Sequence, residues 1–342
     1  MWKRVSFSIK ILILQFSGEY FLADYLMKIG NFNREYLDTV MGCEGYFDSY
    51  NIGKDDLTKT DAQKIVAFRR GGLEEVTETV TVDNAATQVK YHWYEFSFMP
   101  NIGILADPDP LMSDCELRLS FTRAKPSTAV VQIGTDDLPE IELKYVHAVT
   151  EYVSSPAMRQ HFQSIETSPI IYNYDNIDVF TKQLPLNDTV VRFDHIKGGN
   201  VPSHIFAGII PTSAITGDLE KSSTGFMLNN VTEFNFSLNG SSCNGFPLVM
   251  RNKGSVVPLQ QFHDVTGRLM NVESGSGFTL NKFETNFIWS HRFEAEKTAQ
   301  GWIGIDFKLS ELLDFNATLV VWTVSPQTLS IDKFHQIEQL EK

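Results

Sequence analysis

The sequence predicts an all-β protein built from β-sandwiches, and two observations carry this prediction. Residues 233–238 alternate between the apolar side chains Phe234, Phe236 and Leu238 and polar ones, the period-two pattern of a half-buried antiparallel strand. The composition includes 25 Phe, 11 Tyr and 5 Trp, residues that favour strands over helices. Short strands separated by turn residues indicate a β-sandwich or a jelly roll.

The strand at 233–238 has neighbours of the same kind. Asn239-Gly240 closes it with a dipeptide that tolerates positive φ, and Asn235 is predicted on the face opposite to Phe234 and Phe236. Upstream, residues 189–196 and 203–210 are predicted strands, and 211–223 is a predicted loop.

The length predicts two domains. A chain of 342 residues exceeds the roughly 250–300 residues at which a single core usually stops growing. The polar, proline-flanked segment 154–169, with a short helix near 158–162, is the predicted connection. We therefore predict domains at residues 1–155 and 165–342.

In the first half, Ser17 is predicted to cap a helix that begins at Gly18 or Glu19, runs to Ile29 and stops at Gly30. A second short helix is predicted at 60–68. Strands are predicted at 5–16, 76–82, 89–99, 115–122 and 141–153. In the last of these, His147 alternates with apolar residues, which indicates a core histidine.

In the second half, residues 303–309 alternate in period two and predict one strand. Residues 317–324 are apolar on both faces, which places this strand at the centre of a sandwich or under a subunit interface. Residues 329–337 are predicted to end the chain as a closing strand, and 262–270 show a mixed pattern.

Charge and cysteine content exclude some classes of function. The formal net charge is −13, and no basic tail occurs, which argues against nucleic-acid binding through a broad basic surface. Three widely spaced cysteines, Cys43, Cys115 and Cys243, predict reduced buried thiols. Glycosylation sequons lie at five asparagines, which this composition explains by chance: Asn187, Asn230, Asn235, Asn239 and Asn316.

The N-terminus only loosely imitates a secretion signal. Lys10 interrupts it, and the apolar run 11–14 is shorter than the roughly 7–15 residues of a signal core. Nothing approaches the roughly 18 consecutive apolar residues of a membrane span. The sequence thus predicts a soluble protein that is made inside the cell and has no membrane span.

No catalytic, cofactor-binding or metal-binding residue is predicted. The eight histidines show no zinc spacing, and phosphate-loop, dinucleotide and nucleophile-elbow motifs are absent from the sequence. The loop 107–110 (Asp-Pro-Asp-Pro) indicates a rigid turn rather than a metal site, and the glycines of 274–277 lack the lysine of a phosphate loop. We therefore predict that the protein is not an enzyme and needs no cofactor.

An ordered series of segments resembles the second jelly roll of double jelly-roll major capsid-like proteins, those of Polinton/Maverick-type elements and adenovirus-like viruses. The segments are Gln183-Leu184-Pro185, 192–196, 201–210, 215–218 and 234–247. The resemblance extends from about Ser17 to the C-terminus.

The resemblance implies two tandem jelly rolls with a few short helices. It further implies a structural capsid protein of a virus or transposon, or its endogenised relic, that forms pseudo-hexameric homotrimers and contacts neighbouring capsomers. The expected location is the virion, or the nucleus or cytoplasm if a host genome expresses it. Direct nucleic-acid contact is not expected. By comparison with the family, we expect the first jelly roll to lack opening strands at its N-terminus.

The alternative from another class is a lectin-like β-sandwich that binds a carbohydrate or other ligand. Its candidate stacking residues are Trp93, Trp289 and Trp302, which could equally lie in cores. A cupin-like metalloprotein lacks the His/Glu cluster that it needs.

Overall fold

The computed structural model describes two unequal parts of the chain. Before residue 154 it describes 11–13, 20–31, 74–82, 85–93, 103–106 and 116–118, with single residues at 111, 125, 142, 144, 145, 147 and 149. From 154 to 341 it describes the chain apart from 165–167, 219–223, 227–229, 246, 251–255, 268–282, 284–286, 294–299 and 335.

The described elements of the first half are short. They are β1 (Ile11–Ile13), α1 (Tyr20–Asn31), β2 (Glu74–Val82), β3 (Ala85–Trp93), a 3-10 helix (Gly103–Ala106) and β4 (Glu116–Arg118). β1 pairs with β4 in parallel, and β2 pairs with β3 in an antiparallel hairpin. These elements agree with the predicted helix after Ser17 and the strands at 76–82 and 115–122, and β3 begins four residues earlier than predicted. The predicted helix at 60–68 lies outside the described residues.

The strand predicted at 141–153 is wrong at its described positions. Glu142, Lys144, Tyr145, His147 and Val149 are exposed and lie outside any strand. Tyr145 has a φ of 55°, a left-handed conformation that interrupts extended backbone. His147 is therefore a surface residue and not a core histidine. Alternation predicts a strand only where a partner strand accepts its backbone groups.

The described second half folds mainly from strands, with three short helices. The helices are α2 (Pro156–Gln163), α3 (Thr212–Thr216) and α4 (Val256–Val265). The strands are β5 (Ile170–Gln183), β6 (Val190–Asn200), β7 (His204–Pro211), β8 (Val231–Leu238), β9 (Ser241–Ser242), β10 (Leu248–Val249), β11 (Ile288–Arg292), β12 (Gln300–Leu309), β13 (Ala317–Ile331) and β14 (Ile337–Glu341).

These strands form two antiparallel sheets with the connectivity of a jelly roll. One sheet, called here the covered sheet, has the order β5-β13-β7-β11, and β14 pairs with the far end of β13. The other, called the open sheet, has the order β6-β12-β8-β10, with β9 also on β8. Numbering the eight main strands along the chain gives the orders 1-8-3-6 and 2-7-4-5, which is two interlocked Greek keys. The predicted all-β jelly-roll fold is confirmed for this half.

The core between the sheets is aromatic. Phe234 of β8 stacks on Trp289 of β11 with ring centroids 4.2 Å apart and planes 3° from parallel, so this pair joins the two sheets. Phe236 and Phe307 are equally buried beside it. The predicted register of β8 is confirmed, and the Asn239-Gly240 turn has φ values of 53° and 79° as its dipeptide requires.

Asn235 faces away from the core as predicted, but it is only 6% exposed. Its Nδ2 donates to Asp306 Oδ1 at 3.1 Å, and its Oδ1 accepts from Ser242 Oγ at 2.5 Å. The neighbouring strands therefore cover it, and an acidic residue at this position would repel Asp306. Its glycan sequon is unsuitable in the folded protein for the same reason.

β13 is the central strand of the covered sheet, as its two apolar faces predict. On one edge, β13 pairs with β5 along nearly its whole length. On the other edge, it pairs with β7 over residues 317–324 and with β14 from residue 327 onward. Pro326 lies at this changeover. Its nitrogen is on the edge where β7 has ended and β14 has not begun, so the missing N–H breaks no ladder hydrogen bond.

Two helices close the outer face of the covered sheet. Trp322 of β13 donates its Nε1–H to the Leu22 carbonyl of α1 at 3.0 Å, and its ring packs on Phe226 at 5.2 Å. In α4, Phe262 packs on Phe206 of β7 at 5.9 Å. A Cβ on Gly30 would lie 3.2 Å from Thr266, so α1 also packs against the residues that follow α4. A helix from the first half thus completes the core of the second-half jelly roll.

A second apolar cluster lies at the far end of β5 and β13. Ile170, Tyr172, Leu329 and Ile331 are buried there against Ile104 of the 3-10 helix. Phe162 of α2 packs on the same cluster. The jelly roll therefore contacts first-half residues at two separate places.

Replacing Phe236 by Asp is expected to unfold the jelly roll, because a charge would enter the core and the ring would be lost. Loss of a buried Phe alone typically costs about 3–5 kcal/mol. Glu233→Gln is the matched control on the outer face of the same strand, where the ion pair with Lys308 is partly exposed and is worth about 0–1 kcal/mol. Thermal melts followed by circular dichroism measure both. Equal melting temperatures would contradict the strand register.

Replacing Leu22 by Ala in α1 is expected to destabilise the second-half jelly roll by about 2–5 kcal/mol, because Leu22 is fully buried. Asn31→Ala, at the exposed end of α1, is the control. Denaturant titration followed by tryptophan fluorescence measures this change, because Trp289 and Trp322 are both fully buried in the jelly roll. If Leu22→Ala lowered the free energy of unfolding no more than Asn31→Ala does, α1 would not be part of this core.

Candidate interaction surfaces

The outer face of the open sheet is polar, and its charges are paired with one another. Glu233 binds Lys308 at 2.7 Å, and Arg192 binds Asp194 at 2.5 Å. These contacts join neighbouring residues of the same face, so the face carries both signs of charge. It therefore offers hydrogen bonding without a strong net field.

Trp302 interrupts this polar face near its edge. Its side chain is 43% exposed, and its ring lies 5.6 Å from that of His195. Its neighbours across the sheet are Gly198 and Asn239. Of the three tryptophans considered for sugar stacking, Trp289 is fully buried and unavailable, and the side chain of Trp93 lies outside the described residues. Trp302 is the one that the structure shows exposed.

Three exposed apolar side chains lie on or next to the β5–β6 and β12–β13 connections, at one end of the sandwich. The Leu184 N–H donates to the Ala317 carbonyl, and the Leu309 N–H donates to the Thr189 carbonyl, so the β5–β6 connection is bonded to the adjoining ends of β13 and β12. Here Leu186, Val190 and Leu312 are 40%, 59% and 53% exposed. This apolar end of the jelly roll, defined by these three residues, is a candidate protein interface.

A polar cluster ties the two sheets together at another point. Lys197 of β6 donates to Asp178 Oδ2 of β5 at 3.0 Å, and to the hydroxyls of Thr323 and Ser325 of β13 at 3.2 Å each. Asn176 donates to the other oxygen of Asp178 at 3.0 Å. All members have hydrogen-bond partners, so this cluster is a structural link between the sheets.

A cleft of about 380 Å³ opens at the edge where β11 meets α4 and the turn after β9. Its lining residues are Cys243, Asn244, Gln261, Asp264, Val265, Ser290, His291 and Arg292. Burial raises the pKa of the Cys243 thiol to about 11. The thiol is therefore protonated at neutral pH, which disfavours it as a nucleophile or a metal ligand.

His204 of β7 lies in a partly buried, positively charged environment. Its Nδ1 is 2.8 Å from Ser203 Oγ, and Arg292 of β11 is its cross-strand partner. Burial lowers the pKa of His204, the positive charge of Arg292 lowers it further, and Asp175 acts in the opposite direction. His263 of α4 also has a pKa lowered by burial.

The described residues contain no group of three or more His, Cys, Asp or Glu side chains that could hold a metal ion. No described helix is long and apolar enough to cross a membrane. Asn235 is buried, and the other four sequon asparagines are exposed: Asn187, Asn230, Asn239 and Asn316. Cys243 is a free and partly buried thiol, whereas Cys43 and Cys115 lie outside the described residues, so the reduced state of the three cysteines stays a prediction.

No protein-family model matches the chain, and no curated protein sequence matches it. Among solved structures, the chain is similar to the Sputnik virophage determined by cryo-EM, at 12% identity and a TM-score of 0.33, over 51% of this chain and 39% of that one. It is similar to the mavirus major capsid protein at 13% identity and a TM-score of 0.31, over 51% and 42% of the two chains. It is also similar to a chain of the PBCV-1 virus capsid at 8% identity and a TM-score of 0.35, over 55% of each chain.

Two of these three structures, those of mavirus and PBCV-1, are of viral capsids or capsid proteins. The chain spans about two fifths of the length of the Sputnik and mavirus chains that it matches. Because the TM-scores are low, the fold is assigned from the strand order of this chain, which is that of a jelly roll.

Lowering the pH is expected to destabilise the protein in part through His204. A histidine whose pKa is lower in the folded state contributes stability that is fully present above its ordinary pKa of about 6.5 and is lost as the pH falls below that value. His204→Gln should therefore lose less unfolding free energy than the wild type between pH 7.5 and pH 5, as measured by urea titration. His195→Gln, at the exposed edge, is the control. An equal pH dependence in wild type and His204→Gln would contradict the prediction.

Proposed function

We propose that this chain is a structural capsid protein whose function resides in its shape and its interfaces. The observation that carries the proposal is the way the second-half jelly roll is built into a larger body. Its covered sheet is closed by α1 from the first half, and the far ends of β5 and β13 pack on Ile104. These contacts make the second-half jelly roll part of a larger body, as expected for a subunit whose function is its shape.

The proposed arrangement is a double jelly roll, with residues 1–155 and 165–342 as its two halves. Three copies of a two-sandwich subunit close a ring with six edges through one kind of heterologous interface. The apolar end of the jelly roll is the surface that we assign to this contact, because Leu186, Val190 and Leu312 expose apolar side chains there. The proposed partners are two further copies of the chain and neighbouring capsomers.

The finer identity rests on the sequence resemblance. We propose a protein of a Polinton/Maverick-like virus or transposon, or its endogenised relic, located in the virion. The net charge of −13 favours protein partners over direct contact with nucleic acid. The role requires no catalytic group.

Trp302 supports a second candidate function, that of a lectin-like module. An exposed indole beside polar groups can stack on a sugar ring. Its weakness is that one exposed tryptophan on a polar sheet is common in proteins of every class.

The assembly experiment uses the full 342-residue chain. Light scattering after size-exclusion chromatography is expected to give the mass of a trimer, and negative-stain electron microscopy is expected to show a hexagonal outline. The double variant Leu186→Glu/Leu312→Glu should give a monomer with an unchanged melting temperature, because its new charges would be buried at the interface. Asp188→Asn in the same connection is the control and should stay trimeric.

A well-folded monomer at micromolar concentrations would contradict the capsid proposal. If that monomer also bound a glycan array and lost this binding in Trp302→Ala, the lectin-like function would replace it. A trimer that persists in the double variant would keep the proposal but move the interface away from the apolar end.

A further inference from the structure

The cleft beside β11 contains polar atoms that the fold leaves unsatisfied. Asn244 Nδ2, Gln261 Oε1 and Ser290 Oγ are buried without a hydrogen-bond partner. They belong to the turn after β9, to α4 and to β11, and all three residues line the same cleft. Buried polar atoms are nearly always paired in folded proteins, so three orphaned atoms around one cleft need an explanation.

Two opposite charges stand at the same cleft. Arg292 and Asp264 both line it and both are exposed, on β11 and α4 respectively. Among the described residues neither is in an ion pair, in contrast to the paired charges on the open sheet. An unpaired guanidinium beside an unpaired carboxylate can receive an anionic and a donor group of one small molecule at the same time.

The donors and acceptors define the class of ligand. Arg292, Asn244 Nδ2 and Ser290 Oγ can donate to a carboxylate, whereas Gln261 Oε1 and Asp264 can accept from hydroxyl or ammonium groups. The ends of Asn and Gln side chains turn at low cost, so their buried atoms can reach a molecule in the cleft. The protonated Cys243 thiol adds no covalent chemistry.

From this arrangement we propose that the cleft binds a small carboxylate that carries neighbouring hydroxyl or amino groups. A sugar acid and an amino acid share this chemistry. The site does not depend on trimer formation, because its lining residues all belong to one jelly roll, away from the apolar end.

The test uses the full chain and ligand-observed NMR titrations with four probes. D-glucuronate and L-glutamine carry a carboxylate with neighbouring donors, D-glucose lacks the carboxylate, and acetate lacks the donors. At least one of the first two is expected to bind with a Kd on the order of 1 mM, about tenfold or more tighter than glucose and acetate. Binding of glucuronate alone would indicate a sugar acid, and binding of glutamine alone an amino acid.

Variants connect this binding to the cleft. Arg292→Gln and Gln261→Met should each weaken the binding about tenfold, while Arg192→Gln, an exposed arginine on the open sheet, should leave it unchanged. Ser290→Ala should weaken binding and raise the melting temperature of the free protein, because it removes a buried orphaned hydroxyl. The proposal is overturned if neither carboxylate probe binds below about 20 mM, or if Arg292→Gln binds as the wild type does. If the chain were monomeric but bound the probe, the capsid proposal would be refuted and the ligand-binding proposal would stand.

Discussion

The burial of β13 on both faces is the constraint on which the rest of the structure depends. Its residues 317–324 are all buried, so each face needs a cover. The aromatic core that Phe234 and Trp289 dominate covers one face, and α1 with α4 covers the other. Without that second cover, Trp322 and its neighbours would form an apolar strip in water, a large loss of the burial that stabilises the domain.

This constraint explains why the two halves of the chain are not independent. The covered sheet is closed by α1, which lies 300 residues earlier in the chain and is joined to it by the hydrogen bond from Trp322 to Leu22. The far end of β13 needs Ile104 in the same way. A jelly roll completed by distant segments is suited to a body that holds a fixed shape, because separating the segments would expose both apolar faces.

The open sheet and its edge have a different physical character. Its outer charges neutralise one another in pairs, which makes the face soluble without favouring one partner. Three exposed apolar side chains lie at the end near Leu186 and Leu312, and three unsatisfied buried polar atoms belong to residues that line the cleft near Ser290. The proposed association surface and the proposed ligand site therefore lie on separate parts of one sandwich, so substitutions can test each of them without unfolding the domain.

Strands whose pattern is local could be predicted from the amino-acid sequence. Alternation placed Phe234 and Phe236 in the core, the Asn239-Gly240 turn followed from its dipeptide, and the doubly apolar run 317–324 indicated a central strand. The helix after Ser17 and the all-β class followed in the same way, because side-chain periodicity and turn chemistry act within a few residues.

Only the tertiary structure decided which surfaces are covered and by what. The sequence did not predict the strands β5 and β11, because they pair with strands far along the chain. The pattern of α4 is mixed, and its helical face is explained only by the packing of Phe262 on Phe206. The alternation at 141–153 gave a strand that the structure does not form. Alternation places Asn235 on the face away from the core, but Ser242 and Asp306 hydrogen-bond to its side chain and it is buried. The cleft at Ser290 is lined by residues from the turn after β9, α4 and β11. Contacts across such separations leave no periodic signal, because they depend on which strands become neighbours.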